Sequence, residues 1–146
     1  MLIRTESEAV AMIREANFEE YIRQAQNSSN WYSSLVKESE HEYRHFLLLH
    51  WCSRINGRNH FISPTTNACK IWEKHILDSV KYRKFCQGLI EGYIDYYPTY
   101  KVGSAEYMAG LREAEYLQKY YLSTFGFSHV YIRNTDVMSP PFPRMA

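Results

Sequence analysis

Cysteine, glycine and net charge are all scarce in this chain, and each scarcity removes a class of protein. Three cysteines among 146 residues, Cys52, Cys69 and Cys86, are too few and odd in number for a disulfide scaffold. All three sit in apolar, helix-like surroundings, which fits reduced, buried thiols in a reducing compartment. The six glycines stand singly, where turns and helix caps use them. No glycine-rich phosphate loop and no nucleophile elbow can be assembled from them. A net charge of +1 gives no electrostatic footprint for nucleic acid or an anionic membrane. No apolar run nears the ~18 residues of a bilayer span, and the opening MLIRTESEAV has no signal-peptide core. The expected setting is therefore intracellular, the cytoplasm or a virion. Neither nucleic acid nor membrane is expected as a partner, and no cofactor is expected.

What the chain has in surplus is aromatic rings: thirteen Tyr, seven Phe and three Trp, 16% of the residues. A tyrosine ring is apolar and its tip is polar, so tyrosines close the margins of cores and also populate interfaces. A chain of this length is one domain by default and can bury about 70% of its unfolded surface. Its apolar positions recur at spacings of three and four. Thr5-Glu6-Ser7-Glu8 has capping-box spacing, and the helix it opens is expected to reach about Gln26. A second helix is expected from Trp31 to Cys52. Ser63-Pro64 reads as the N-cap and first residue of a third. Asp78-Ser79 caps a fourth, with a face of Tyr82, Phe85, Cys86, Leu89 and Ile90. Gly103-Ser104 opens a fifth, which Gly126 stops. The expectation is an all-α bundle of about five helices over residues 1–126, with an irregular, proline-containing tail over 127–146. In that tail Pro140-Pro141-Phe142-Pro143 has the composition of a peptide ligand, and equally of an unstructured end.

The stretch Ser63–Pro98 carries the most specific pattern. Tyr43, Phe46 and Leu47 precede it. Within it come Ser63-Pro64, then Trp72, His75, Ile76, Leu77 and Asp78, then Tyr82, Phe85, Cys86 and Pro98; Phe125-Gly126 follows. In this order and spacing the chain resembles the small helical family related to the N-terminal region of glycine-rich domain-containing proteins. The resemblance covers over half the chain. It implies an all-helical fold, and it implies a polar Asp/His cluster at positions where this chain differs. Cys69 stands for the family's Asp, Glu73 for its first His, and Asp95-Tyr96-Tyr97-Pro98 for its paired His. Only His75 of the His set remains. Trp72, His75, Asp78, Tyr82, Phe85 and Cys86 are accordingly read as a structural motif, with Trp72 and His75 lying between helices.

One further string invites a catalytic reading. His41-Glu42-Tyr43-Arg44-His45 spells H-E-x-x-H on an expected helix, in which two histidines one turn apart could hold zinc while Glu42 activates water. Against it stand the charged Arg44 inside the motif, the lack of a spaced third ligand, and the lack of a strand to align a peptide. A solvated His/Glu/Arg face is the plainer expectation. The chain is therefore read as a non-enzymatic interaction or assembly protein, expected to form a homodimer and open to an unidentified protein partner. The competing reading is a metal-dependent hydrolase using His41, Glu42 and His45, or a remodelled Cys69/Glu73/His75 cluster.

Overall fold

The computed structural model of the chain describes residues 4–122. Six helices follow one another: α1 (Glu6–Glu15), α2 (Glu19–Ser29), α3 (Ser33–Ile55), α4 (Thr66–Leu77), α5 (Ser79–Ile90) and α6 (Ala105–Tyr120). Among the described residues there is no strand, so the all-α expectation holds, with six helices where about five were expected. None of these helices is long and apolar enough to cross a membrane. The expected helix end at Phe125-Gly126 and the tail 127–146 lie outside the described residues.

The extra helix comes from splitting the first. Thr5 does form a capping box with Glu8, but α1 stops at Glu15 because Ala16 turns extended. Two side chains explain the break. The Asn17 side chain accepts the backbone N–H of Glu19 at 3.0 Å and starts a new helix. Phe18 is pushed into the core, where it meets Tyr43, His75 and Phe85. The freed carbonyls of Ile13 and Ala16 are taken by the guanidinium of Arg44, which also pairs with Glu40 at 2.7 Å and lies over the Phe18 ring. A mid-helix arginine thus satisfies the end of a different helix.

α3 is the axis of the bundle. From Glu42 to Ser53, every residue but His50 is buried, as a helix covered on all sides must be. α1, α2, α4, α5 and α6 all pack on it, and α4 also lies along α2. The expected cap of α4 moves two residues along. Thr65, not Ser63, accepts from the N–H of Ala68 at 3.1 Å. Ser63 is engaged elsewhere, donating to the Tyr107 carbonyl at 2.7 Å, and the Tyr107 hydroxyl donates back to the Pro64 carbonyl at 2.7 Å. This exchange presses segment 61–64 onto α6 at Gly110. A Cβ there would stand 2.2 Å from Ser63 Oγ and 2.8 Å from its backbone nitrogen. Gly110 is therefore a close-approach glycine inside a helix, a use beyond the turns and caps expected for this residue type.

Candidate functional site

α4 carries two faces with different chemistry. The inner one holds the structural motif. The Trp72 indole donates to the Tyr82 hydroxyl at 2.8 Å, and that hydroxyl donates to the Ile94 carbonyl at 2.7 Å. His75 Nδ1 and the Tyr43 hydroxyl meet at 2.7 Å. Phe18, Tyr21, Tyr43, Tyr82 and Phe85 crowd the imidazole, with Tyr21 stacked at 4.6 Å and Tyr82 edge-on at 4.9 Å. Burial pushes the His75 pKa down to about 4, against a smaller opposing pull from Asp78. A neutral imidazole can leave Nδ1 bare to accept from Tyr43. The Tyr82 and Tyr43 hydroxyls are held well above their usual range by burial, so both stay protonated. Cys86 is buried in this same core, and its thiol is raised by desolvation.

Asp78 departs from its expected role. It stands at the N-cap of α5, yet its side chain makes no capping bond. Its backbone is bent to φ −89°, ψ 70°, because the same residue ends α4. The carboxylate instead accepts from the Tyr21 hydroxyl at 2.8 Å. Asp78 therefore ties α2 to the α4–α5 corner.

The H-E-x-x-H string also departs from expectation. It is not a solvated face: His41 is exposed, but Glu42 and His45 are buried, as is Arg44. Glu42 accepts from the Thr65 hydroxyl at 2.6 Å, so it braces the start of α4. Among the described residues no group of three or more His, Cys, Asp and Glu side chains comes together as a metal-ligand set. The remodelled cluster is divided in the same way. Cys69 and Glu73 share the outer face of α4, and His75 points into the core.

The outer face lines a cleft of about 270 Å³ between α4 and the loop that joins α5 to α6. Glu73 accepts from the Tyr96 hydroxyl at 2.8 Å and from the Cys69 thiol at 3.8 Å. Cys69, Glu73 and Tyr96 thus stand together where α4 faces the loop. Desolvation and the neighbouring Glu73 push the Cys69 thiol up to about 12, and burial with the Glu73 bond raises Tyr96 above the usual phenol range. Neither is a nucleophile or proton carrier near neutral pH. The rest of the lining is largely aromatic. Tyr97 and Tyr100 stack at 4.9 Å, and Phe61 meets both edge-on.

One feature escaped the sequence reading. Arg58, just past α3, grips Glu113 of α6 through two bonds of 2.6 and 2.9 Å. Its guanidinium also lies 4.5 Å from the centre of the Tyr116 ring. Nothing in the local sequence joins positions 55 residues apart. The tyrosines of the last helix divide between the core and the surface. Tyr107 is buried, while Tyr116, Tyr120 and Tyr121 are 40%, 61% and 42% exposed. Their rings form one cluster, with Tyr116 4.9 Å from Tyr120 and 5.9 Å from Tyr121.

No family model matches the chain, and neither a curated protein nor a solved structure matches it.

Proposed function

We propose that this protein is a non-enzymatic assembly domain that pairs with a second copy of itself through the tyrosine cluster at the end of α6. The observation that carries the reading is that cluster: three neighbouring rings turned outward on one helix, with Arg58 beneath and Lys119 beside them. Tyrosine and arginine are the residues enriched at the centres of protein interfaces. A helix face that meets its own copy forms a two-fold contact, the commonest homo-oligomer. The chemistry elsewhere supports the same reading. The thiols of Cys52, Cys69 and Cys86 and the phenols of Tyr21, Tyr43, Tyr82, Tyr96 and Tyr107 are all held protonated by burial, and His50 and His75 are held neutral. On this reading the chain is a divergent relative of the helical family it resembles, with Cys69, Glu73 and Tyr96 at the polar-cluster positions, and it works inside a cell or virion. Sedimentation velocity over a dilution series tests the proposal. A dimer that gives way to monomer on dilution is the expected result; a monomer at every concentration would end it.

A further inference from the structure

Phe61, Tyr97 and Tyr100 also wall a second cleft, of about 360 Å³, between the end of α3 and the loop that joins α5 to α6. Its volume falls at the small end of the range, about 300–1,000 Å³, in which small-molecule sites lie. α3 contributes His50 and Arg54, one turn apart on one face, and the loop contributes Asp95. His50 is part-exposed, and its Nε2 is buried with no hydrogen-bond partner among the described residues. A buried polar atom without a partner is costly, and it marks a place where a partner is to be supplied. Burial pushes the His50 pKa down to about 3, so the imidazole is neutral and carries one donor and one acceptor nitrogen.

The charges of the lining decide what kind of molecule supplies that partner. Apart from histidine, the charged side chains here are Arg54, Arg58 and Asp95. Arg58 is already met by Glu113 through two bonds. Arg54 donates to the Glu91 carbonyl at 3.3 Å, and neither Arg54 nor Asp95 has an ion pair among the described residues. One base and one acid are left over. A ligand of a single charge would desolvate one of them without meeting it; a zwitterion meets both. We propose that this cleft binds a free amino acid with an apolar side chain. Its ammonium pairs with Asp95 and its carboxylate with Arg54. Its polar end gives His50 Nε2 a bond, and its side chain lies against Phe61, Tyr97 and Tyr100. The cleft does not include the α6 tyrosines, so ligand binding and pairing are separately testable.

Isothermal titration calorimetry of the full chain with leucine and with phenylalanine tests this site. At least one of the two should bind at millimolar concentration or below. Its singly charged analogues, the amine that lacks the carboxylate and the acid that lacks the ammonium, should each bind weaker by about tenfold or more, the loss expected for one charged hydrogen bond. Asp95→Asn and Arg54→Gln should each weaken the amino acid by a similar factor. Both side chains are exposed, so both variants keep the fold. The His50 ring nitrogens, followed by NMR in the isotope-labelled chain, should shift when the amino acid is added. No binding by either amino acid would overturn the proposal, and so would an analogue that binds as tightly as the amino acid itself. Binding that leaves the His50 nitrogens in place, or that neither variant weakens, would overturn it too, because the ligand would then sit elsewhere.

Discussion

Tyr107 and Tyr116 lie on one helix, a few turns apart, and do opposite things. Tyr107 is 4% exposed and its hydroxyl is committed to the Pro64 carbonyl. Tyr116 is 40% exposed, and its ring lies against Tyr120, Tyr121 and the Arg58 guanidinium. The contrast extends through the molecule. Inside the bundle Tyr21, Tyr43 and Tyr82 each join two helices or a helix and a loop through a named bond. Among the described residues the tyrosines at the end of α6 add no such bond to the bundle, and they are exposed. A buried hydroxyl without a partner costs free energy, so interior tyrosines come with partners; exposed ones need none. The tyrosines therefore fall into two populations, buried ones bonded across the core and exposed ones grouped at the end of α6.

The largest expected effect falls on the inner set. Trp72→Ala removes a fully buried indole between α3, α4 and the Tyr82–Ile94 contact, and should cost about 3–5 kcal/mol. A thermal melt unchanged by this substitution would place the residue outside the core and erase the distinction at its centre.

Acid should act on the same core. With His75 held at about 4, against 6.5 for the unstrained side chain, the unfolded chain takes up the proton first. Above pH 6.5 the group costs nothing. As pH falls from 6.5 toward 4 the native state loses ground, by roughly 3 kcal/mol in full, and below about 4 the loss stops growing. His50, pushed down to about 3 by burial, adds in the same direction. Melts recorded from pH 7 to pH 5, where ordinary carboxylates remain ionised, should show a steady fall. A flat profile over that window would mean that His75 is accessible to water.

A further effect separates hydroxyl from ring. Tyr82→Phe keeps the packing but strands the Trp72 N–H and the Ile94 carbonyl. Each stranded buried group costs about 1–3 kcal/mol. Equal stability of Tyr82→Phe and the parent protein, measured by denaturant unfolding, would show that water satisfies both groups and that this hydroxyl resembles those of α6.

The helical class and most helix positions were legible in the sequence because they rest on local signals. The Thr5 capping box, the Ser104 cap and the three-and-four spacing of apolar residues all appear as read. The burial of Trp72, His75, Tyr82 and Cys86 was legible for the same reason. The failures share one physical cause: a side chain taken by a distant partner. Asp78 has the composition of a cap, but Tyr21 claims it. Ser63 has it too, but Tyr107 claims it. Arg44 and Glu42 look solvated in a helical string, but Arg44 ends α1 and Glu42 holds Thr65. The break at Ala16 depends on Phe18 finding the core, which no local rule announces. The cleft was legible only in pieces, since Cys69 and Glu73 share a helix face and Tyr96 arrives from a loop 23 residues beyond Glu73.

The most direct test joins stability and mass in one variant. Tyr116→Ser/Tyr120→Ser/Tyr121→Ser should change the melting temperature little when both proteins are diluted until the parent no longer pairs, because pairing itself raises a melt and each exposed substitution stays within about 0.5 kcal/mol. Light scattering at micromolar concentration should find the parent protein as a dimer and this variant as a monomer. A variant that melts far below the parent would assign these rings to the core, and equal masses for the two proteins would contradict the claim that the α6 tyrosines are a surface for assembly.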